Sequence, residues 1–464
     1  MKTLLLLLAA LVTPLYAAAP AGFNHDEIAL WAAPVEGAGV FDAHRADEAV
    51  NPASTMKLLT SWAALNRLGP NFRWQTEFKT TAPLQDGVLQ GDLYWQASGD
   101  PRLDSARLTE MLRQLRLRGV RDIAGKLVLD QSAWQGLGTA DGFGGDADRV
   151  FTVAPHTHQL NLKVAWLRYY FDNGQPQVVL DPPLPGISID NRLQAGSGSS
   201  CGDVRRYAAI TQQGGDRLRV SGSLPPGCDG AANFVNLLDS NAFAQQAFAA
   251  LWQQLGGSGP RGMRIASTPA QARSLLRLPS ADTLAGVLVD VNKYSNNTMA
   301  RSVLLTLGAQ YPASGNTFAD GERALRGLLA ERGLPQQPLL LENGAGLSRR
   351  ERVSAHLLGE VLRDALRGPY GPELAASLPL AGEDGTLKKR LGEIGGNLRL
   401  KTGSLDNVRA LAGYWQAPSG QRLVIVAIVN SARAEQLTPQ LDAAVAAVVA
   451  RYQARLAASP AGGL

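Results

Sequence analysis

Apolar positions near both ends of the chain fall into short segments that alternate with polar residues or run on unbroken. Segments 27–32 and 40–44 lie near the start, and segments 408–415 and 422–429 lie near the end. A period of two indicates a strand with one buried face, and a short unbroken apolar run is typical of a strand buried on both faces. We therefore predict one antiparallel sheet built from both ends of the chain, with the Ala/Val-rich segment 441–456 packed on it as a helix.

The middle of the chain has a different pattern, with short strand-like runs separated by turn residues. Asp86-Gly87 is a hairpin signal between the runs 72–79 and 88–95. Stretches rich in proline, glycine and serine follow, and they divide off a further small module. We therefore predict two nested β-rich modules inserted into the domain that the two ends build.

The length of the chain allows this organisation. Its 464 residues are too many for one ordinary core and are enough for two or three domains. We assign 20–71 and 278–464 to the domain built by the two ends, 72–154 and 235–277 to the outer inserted module, and 155–234 to the inner one.

The first residues have the pattern of an export signal. Lys2 precedes the apolar stretch 4–12, and three alanines follow at 17–19. This is the pattern of a secretory signal peptide, predicted over residues 1–19 with cleavage among the alanines, because the apolar stretch is too short to span a bilayer. No later segment approaches a membrane span. We therefore expect an exported protein without a transmembrane anchor.

Export makes the two cysteines interpretable. Cys201 and Cys228 flank a region rich in Gly, Pro and Ser, and in an oxidising compartment we expect them to form one disulfide. Two buried free thiols are the alternative. His156 and His158 lie close together, but no cluster of Cys, Asp or Glu lies beside them in the sequence. We therefore predict no metal site.

Composition and charge narrow the possible partners. Hydrophobic residues make up 45% and charged residues 18% of the chain, and the formal charge is +5. Such a composition is typical of a folded, soluble protein. A mild excess of basic residues favours binding to an anionic surface such as a cell wall. The chain has no basic run and no interleaving of basic with aromatic residues, so we do not expect it to bind nucleic acid.

One lysine follows a serine at a spacing that has chemical meaning. Ser54 and Lys57 form a Ser-x-x-Lys motif at the start of an apolar-periodic segment that ends at Gly69-Pro70. Residues three apart share one face of a helix, so the hydroxyl and the amine can approach each other. A serine hydroxyl is a weak nucleophile until an adjacent base takes its proton. A buried lysine can lose its proton and act as a base, whereas an arginine cannot. The alternative is a helix-capping serine followed by a surface lysine.

Two further motifs strengthen the catalytic interpretation. They are Ser295-Asn296-Asn297, ahead of a helical pattern, and Lys401-Thr402-Gly403-Ser404, at the end of an alternating run that predicts a strand. Ser-x-x-Lys and Lys-Thr-Gly each occur once in the chain. The order of the three motifs and their helix, loop and strand contexts fit one active site.

Together these motifs resemble those of the penicillin-binding proteins and serine β-lactamases. Residues 58–294 separate the first motif from the second, and so large an insertion resembles the low-molecular-mass class C group. That group comprises the D-alanyl-D-alanine carboxypeptidase/endopeptidases of the penicillin-binding protein 4 type. Segment 342–349 resembles the family stretch N-G-S-G-L-S-R, with Ala345 in place of a serine, and segment 378–387 resembles the family segment before the Lys-Thr-Gly strand.

The resemblance implies a fold and an activity. The fold is α+β, with a β-lactamase/transpeptidase-like catalytic domain, an antiparallel sheet flanked by helices, and two nested β-rich inserted domains. The activity is that of a periplasmic serine DD-peptidase acting on peptidoglycan, which cleaves D-Ala-D-Ala termini as a carboxypeptidase, D-alanyl cross-links as an endopeptidase, or both. Peptidoglycan peptides are the expected substrates and β-lactam antibiotics the expected covalent inhibitors. No cofactor is expected, and the oligomeric state is left open.

The resemblance also implies a role for each motif residue. The roles are Ser54 as nucleophile, Lys57 as general base, Ser295 as proton relay to the leaving nitrogen, Asn297 as a hydrogen-bond partner of the substrate backbone, Lys401 as the positive charge for the terminal carboxylate, Thr402 as a donor to that carboxylate, Gly403 as the point of close approach for the substrate backbone, and the N–H groups of Ser54 and Ser404 as the oxyanion hole. We expect burial and the nearby Lys401 to lower the pKa of Lys57, so that its amine is neutral part of the time.

Three alternatives stay open at this point. The first is a β-lactamase, which shares all three motifs but must hydrolyse its acyl-enzyme quickly. Class A β-lactamases use an added glutamate for this step. No Glu-x-x-Leu-Asn stretch that could supply it lies between Ser54 and Lys401. A non-catalytic exported cell-wall binding protein would not be acylated by β-lactams. Ser200 lies in a Gly-x-Ser-x-Gly pattern typical of α/β-hydrolases, but the sequence predicts no strand before it and no helix after it.

Overall fold

The computed structural model describes residues 19–37, 39–140, 143, 150–394 and 398–458. The predicted signal peptide therefore lies outside the described residues except for Ala19. Within the described ranges, no helix combines the length and the apolar character needed to cross a bilayer.

The described strands, in chain order, are β1 Ile28–Pro34, β2 Asp42–His44, β3 Gln75–Thr80, β4 Leu84–Gln85, β5 Val88–Leu89, β6 Leu93–Ala97, β7 Asp122–Ile123, β8 Leu127–Asp130, β9 Ala165–Asp172, β10 Gln175–Asp181, β11 Ser188–Ala195, β12 Ala208–Gln212, β13 Arg217–Leu224, β14 Ala232–Val235, β15 Met263–Ile265, β16 Arg273–Pro279, β17 Leu339–Leu340, β18 Arg352–Val353, β19 Leu398–Leu405, β20 Val408–Gln416 and β21 Arg422–Asn430. The described α-helices are α1 Lys57–Leu68, α2 Ser105–Leu117, α3 Ser240–Gln254, α4 Leu284–Lys293, α5 Asn297–Gln310, α6 Thr317–Glu331, α7 Ala355–Arg367, α8 Gly371–Ala376 and α9 Thr438–Ala458.

Both ends of the chain build one antiparallel sheet, as the sequence predicts. Its strand order is β19-β20-β21-β1-β2, and β1 pairs with β21 along its whole length. The strand predicted at 40–44 is shorter, because only Asp42–His44 pairs with β1. Val40, just before it, is exposed.

The two faces of this sheet are covered by different helices. Successive residues of a strand point to opposite faces, and here Leu411 packs into the core on one side and Ala412 into the core on the other. Helix α9 covers the first face and confirms the predicted C-terminal helix. Helices α1 and α4 to α7 contribute to the core on the second face. These layers confirm the α+β fold.

The inserted region begins with a five-stranded sheet of order β15-β8-β6-β3-β16. Strands β3 and β6 pair antiparallel, but the turn at Asp86-Gly87 belongs to the smaller hairpin of β4 and β5. The predicted single run 88–95 is therefore two strands, β5 and β6. The extended pairing is interrupted between these two strands. There the Asp92 carboxylate accepts a hydrogen bond from the Lys126 backbone N–H (2.7 Å).

Two three-stranded sheets follow, β10-β9-β14 and β11-β13-β12. A disulfide joins Cys201 to Cys228 beside them, which confirms the predicted pairing. The interiors of the outer and inner modules form one continuous apolar core, in which Trp95 and Phe248 belong to the same cluster as Leu167 and Val220. The boundaries given for the two modules stay a prediction.

Candidate active site

The nucleophile candidate lies on a short turn that leads into a helix. Ser54 belongs to a 3₁₀ turn, Ala53–Met56, and α1 begins at Lys57. The spacing of three places both side chains on the same side, and the Lys57 Nζ lies 2.9 Å from the Ser54 Oγ. The structure therefore brings the Ser-x-x-Lys pair into hydrogen-bond contact.

Two asparagines from opposite ends of the chain fix this turn. The Asn51 side chain accepts from the Ala53 N–H (2.9 Å) and donates to the Ser348 carbonyl (2.9 Å). The Asn430 side chain accepts from the Asn51 N–H (2.7 Å) and donates to the Asn51 carbonyl (2.9 Å). The position of Ser54 thus depends on contacts that join the end of β21 to the segment just before the turn.

Lys57 is completely buried, and its amine has three hydrogen-bond partners. Its Nζ contacts the Ser54 hydroxyl, the Asn297 Oδ1 (2.6 Å) and the Ala345 carbonyl. Burial lowers the pKa of Lys57 to about 7, and the charge of Glu351 acts against this lowering. A neutral amine is therefore available near neutral pH beside a serine hydroxyl.

The second and third motifs meet beside this pair. The Nζ of Lys401, also fully buried, donates to the Ser295 Oγ (2.9 Å) and to the Thr402 carbonyl (2.7 Å). Burial lowers the pKa of Lys401 well below its usual range, and the charge of Lys57 lowers it further. Burial is thus the main cause of the lowered pKa of both lysines, whereas we expected Lys401 to contribute to the lowering at Lys57.

Two non-glycine residues beside the reacting groups have left-handed backbones. Ser295 has a φ of 58° and Ala53 a φ of 45°. Such conformations cost free energy for a residue with a Cβ and concentrate at active sites and ligand-binding turns. Here they lie in the loop that carries the relay candidate and in the turn that carries the nucleophile candidate.

Asn297 connects the base candidate to the inserted region. Its Oδ1 accepts from Lys57, and its Nδ2 donates to the Phe151 carbonyl (3.0 Å). The next residue, Thr298, donates through its hydroxyl to the Val153 carbonyl (2.9 Å). A segment before the inner module therefore contacts the site directly, and the Asn297 side chain is engaged by the protein at both its oxygen and its nitrogen.

Strand β19 forms one wall of the site because it is the edge strand of the sheet. The Leu400 N–H donates outward to the Pro379 carbonyl (3.1 Å), away from β20. Backbone N–H groups alternate in direction along a strand, so the N–H groups of Thr402 and Ser404 also point outward from the sheet edge. Ser404 lines the same cavity as Ser54. The outward direction of its N–H fits an oxyanion-hole donor.

Gly403 has a structural role besides the close approach of the substrate backbone, which stays a prediction. A Cβ at this position would lie 2.7 Å from the Pro52 carbonyl oxygen and 3.2 Å from the Ala53 Cβ. Contacts this close to backbone atoms cannot be accommodated by a side-chain rotation. Glycine is therefore needed so that β19 can approach the turn that carries Ser54.

Thr402 already has a hydroxyl partner within the protein. Its Oγ1 donates to the Oγ1 of Thr386 (2.8 Å), which lies in the segment before the Lys-Thr-Gly strand. To donate to a substrate carboxylate, the Thr402 hydroxyl must therefore turn away from Thr386.

These groups border an open cavity of about 510 Å³. Its lining includes side chains or backbone from Ser54, Ser295, Asn297, Gly346, Arg349 and Ser404. The nucleophile candidate thus lines an open cavity, while both lysines lie below the surface.

Sequence reasoning missed one buried acid. Glu351 is fully buried, and its Oε1 accepts from the N–H groups of Glu342, Asn343 and Gly344 (3.0, 3.0 and 3.1 Å). Burial raises the pKa of its carboxyl group. By holding this loop, Glu351 positions the Ala345 carbonyl against Lys57. The sequence signal that could have found it is its place two residues after the 342–349 segment.

Other candidates lie elsewhere. Ser200 is exposed in a loop between β11 and a short 3₁₀ turn, and it lacks the strand-to-helix turn that a nucleophile elbow needs. Among the described residues, no group of three or more His, Cys, Asp or Glu side chains could hold a metal ion.

Proteins of known activity resemble this chain over most of its length. It is 28% identical over 431 residues to a D-alanyl-D-alanine carboxypeptidase of Actinomadura sp., covering 87% of this chain and 78% of that protein. It is 26% identical over 388 residues to the D-alanyl-D-alanine carboxypeptidase DacB of Haemophilus influenzae, covering 82% and 80%. The crystal structure of penicillin binding protein 4 (dacB) from Haemophilus influenzae superposes with a TM-score of 0.70 at 24% identity, covering 87% of this chain and 90% of that one.

A family model agrees with these relatives and confirms the resemblance inferred from the motifs. It matches residues 16–452, which include all three motifs and both inserted modules. The chain belongs to the D-Ala-D-Ala carboxypeptidase 3 (S13) family.

Proposed function

We propose that this serine D-Ala-D-Ala peptidase uses Ser54 to attack the carbonyl carbon between the two D-alanines of a peptidoglycan peptide. The bond to the terminal D-alanine breaks, D-alanine leaves, and water later hydrolyses the acyl-enzyme. The observation that carries this assignment is the contact of 2.9 Å between the Ser54 hydroxyl and a fully buried Lys57 amine with a pKa of about 7.

Lys57 acts as the general base in this proposal. Its neutral amine takes the Ser54 proton as the new bond forms, and a pKa near the working pH suits that transfer. Ser295, whose hydroxyl accepts a hydrogen bond from Lys401, then passes the proton that Lys57 took from Ser54 to the leaving nitrogen, so that Lys57 is neutral again. The Asn297 side chain holds Lys57 through one hydrogen bond. It gives up another of its hydrogen bonds within the protein to bond the substrate backbone.

Lys401 changes its charge when substrate binds. A terminal carboxylate beside its amine favours the ammonium form and raises the pKa that burial and Lys57 lower. A charged Lys401 in turn disfavours a charge on Lys57, which keeps Lys57 neutral as the base. Substrate binding and activation of the nucleophile are thereby coupled, and Thr402 supplies a further hydrogen bond to the same carboxylate.

The N–H groups of Ser54 and Ser404 form the oxyanion hole. The turn that carries Ser54 and the free edge of β19 bring these two groups to one cavity. Removing one such donor typically costs about 10²–10³ in turnover.

Three further assignments belong to this proposal: the inhibitors, the location of the protein and the bounds of its domains. A β-lactam presents a strained amide to Ser54, so we infer that β-lactam antibiotics acylate this residue. The predicted signal peptide places the protein in the periplasm, where peptidoglycan lies. We assign residues 20–71 and 278–464 to the catalytic domain, 72–154 and 235–277 to the outer module, and 155–234 to the inner one.

Release of D-alanine from a peptide ending in D-Ala-D-Ala tests this proposal. We expect Ser54→Ala to abolish release and Ser200→Ala to leave it at the wild-type rate. Full activity in Ser54→Ala, or loss of activity in Ser200→Ala, would move the nucleophile to another site. A cross-linked peptide dimer assayed in parallel measures endopeptidase activity.

A further inference from the structure

A groove runs from the active-site cavity along the inner module. A second cavity of about 620 Å³ shares Phe151, Ser295 and Asn297 with the active-site cavity. A third, of about 630 Å³, shares Leu162 with the second. Because neighbouring cavities share lining residues, they adjoin one another, and this row of adjoining cavities is the groove, or path, that leads away from Ser54. A short peptide terminus needs only the first of them.

The path is lined by exposed aromatic side chains. Phe234 and Tyr294 line the second cavity with 49% and 67% of their surface exposed, and Trp166 lines the third with 38% exposed. Phe234 on β14 faces Trp166 on β9, with ring centroids 5.7 Å apart. Exposed aromatic surface of this kind, next to a catalytic cavity, indicates a ligand-binding groove.

The alternation along β9 shows that the aromatic face is the outer face of the sheet. Ala165 and Leu167 point into the core, whereas Trp166 and Tyr170 point outward. The core of the inner module is therefore already filled by other side chains. The Trp166 ring is not required to complete that core, which leaves it free for a ligand.

The charges along the path are already compensated. The ion pairs of the arginines that line the two outer cavities are Arg102 with Asp282 (3.0 Å) and Asp290 (2.6 Å), Arg168 with Asp181 (2.6 Å), and Arg205 with Asp203 (2.8 Å). Guanidinium groups already paired in this way leave little positive charge to attract the carboxylates of a second peptide. An uncharged polymer with flat apolar faces suits the path better.

We propose that this groove binds the glycan strand of peptidoglycan, so that N-acetylated sugars stack on Phe234 and Trp166 while the attached peptide reaches Ser54. The C–H face of a pyranose ring is apolar and weakly positive, and an aromatic ring presents a large apolar area with a negative face. The proposal rests on the peptidase function proposed above and specifies the polymeric form of its substrate. It gives the inner module a task, which is to select peptides that are still carried on glycan.

The test compares kcat/KM for two substrates. One is a free peptide ending in D-Ala-D-Ala, and the other is the same peptide carried on a soluble glycan oligomer. We expect the wild-type protein to prefer the glycan-borne peptide, and the double variant Phe234→Ala/Trp166→Ala to lower that preference about tenfold, as expected for two lost stacking contacts. Tyr170→Ala is the matched control, since Tyr170 is 42% exposed on the same strand and lines neither cavity. It should keep the wild-type preference.

A second measurement uses a glycan oligomer without peptide as a competitor. It should inhibit hydrolysis of the glycan-borne peptide by the wild-type protein and inhibit the double variant far less. Equal preference for the two substrates in the wild-type protein, or an unchanged preference in the double variant, would overturn the proposal. So would an equal loss on a sugar-free cross-linked peptide dimer, which would assign the groove to a peptide. Hydrolysis of the free peptide by the wild-type protein tests the peptidase proposal separately.

Discussion

Two lysines lie fully buried at the candidate active site of a chain in which arginine supplies most of the positive charge. Burial lowers the pKa of both Lys57 and Lys401, and Lys57 keeps a pKa of about 7. An arginine in either place would stay protonated and could not accept a proton. At the scale of single residues, the proposed function therefore depends on amines that can exist in the neutral form.

Lys57→Arg tests this dependence. We expect the rate of acylation by a β-lactam to fall by about 10²–10⁴, the usual contribution of a general base. Lys126→Arg is the control, because Lys126 is exposed on the outer module. Stopped-flow measurement of acylation checks the result, and a Lys57→Arg variant that reacts at the wild-type rate would rule out Lys57 as the base.

The pH dependence of acylation tests the same amine without changing it. Because the base must be neutral, we expect the rate to rise with pH and to pass half-maximum near pH 7, the pKa of Lys57. The charge of Glu351 raises this pKa, and the charge of Lys57 in turn lowers the pKa of the neighbouring Lys401. A rate that falls as the pH rises through 7 would contradict the assignment.

Glu351→Gln should move this profile in a defined direction. The charge of Glu351 raises the pKa of Lys57, so its removal should lower that pKa and shift the midpoint to lower pH. Glutamine keeps an oxygen for the three N–H groups that Glu351 holds, and Glu435→Gln on the surface is the control. An unchanged midpoint would leave Glu351 with a structural role alone.

At the scale of elements, the site depends on how closely β19 approaches the turn that carries Ser54. Gly403 permits this approach because it has no Cβ. A Cβ at this position would lie only 2.7 Å from the Pro52 carbonyl oxygen. The Asn51 and Asn430 side chains then fix the turn against β21. The geometry of the nucleophile is thus set by strand and turn packing as much as by its own helix.

Gly403→Ala should disturb that packing. We expect a loss of about 1–3 kcal/mol in the free energy of unfolding, as for other overpacked sites, together with slower acylation as the Ser54 turn shifts. Gly215→Ala is the matched control, because a Cβ there meets nothing within 4 Å. Denaturant unfolding and acylation kinetics check the two effects. Wild-type stability and acylation in Gly403→Ala would contradict the close approach.

The elements differ in how far the sequence predicts them. The strands at both ends and helix α9 follow from apolar periodicity, because their pattern records which face is buried. The interruption between β5 and β6 does not follow from the pattern, because residues there contact distant parts of the chain; the Asp92 carboxylate, for example, accepts from the Lys126 N–H. The contact of Asn430 with Asn51 could not be predicted either, since it joins residues 379 positions apart that only the complete fold brings together. The bonds of Glu351 are local, but they depend on the shape of the loop at Glu342 to Gly344, which the sequence pattern does not give.

At the scale of the whole molecule, three motifs spread along the chain form one pocket, and the inserted modules reach that pocket. The Phe151 carbonyl contacts Asn297, and the Val153 carbonyl contacts Thr298. The motifs themselves could be recognised from the sequence, and so could their shared site. The shared core of the two modules and the groove beside the site could not, because exposure and cavity shape depend on tertiary packing.

The central claim is that Ser54 is the residue acylated in the intact protein. The most direct measurement is covalent labelling of the mature chain with a fluorescent penicillin, beside a Ser54→Ala control. The labelled peptide is then identified by mass spectrometry. We predict one persistent label, on Ser54, and none in the control. A label on any other residue, a label in Ser54→Ala, or no label on the wild-type chain would contradict this account.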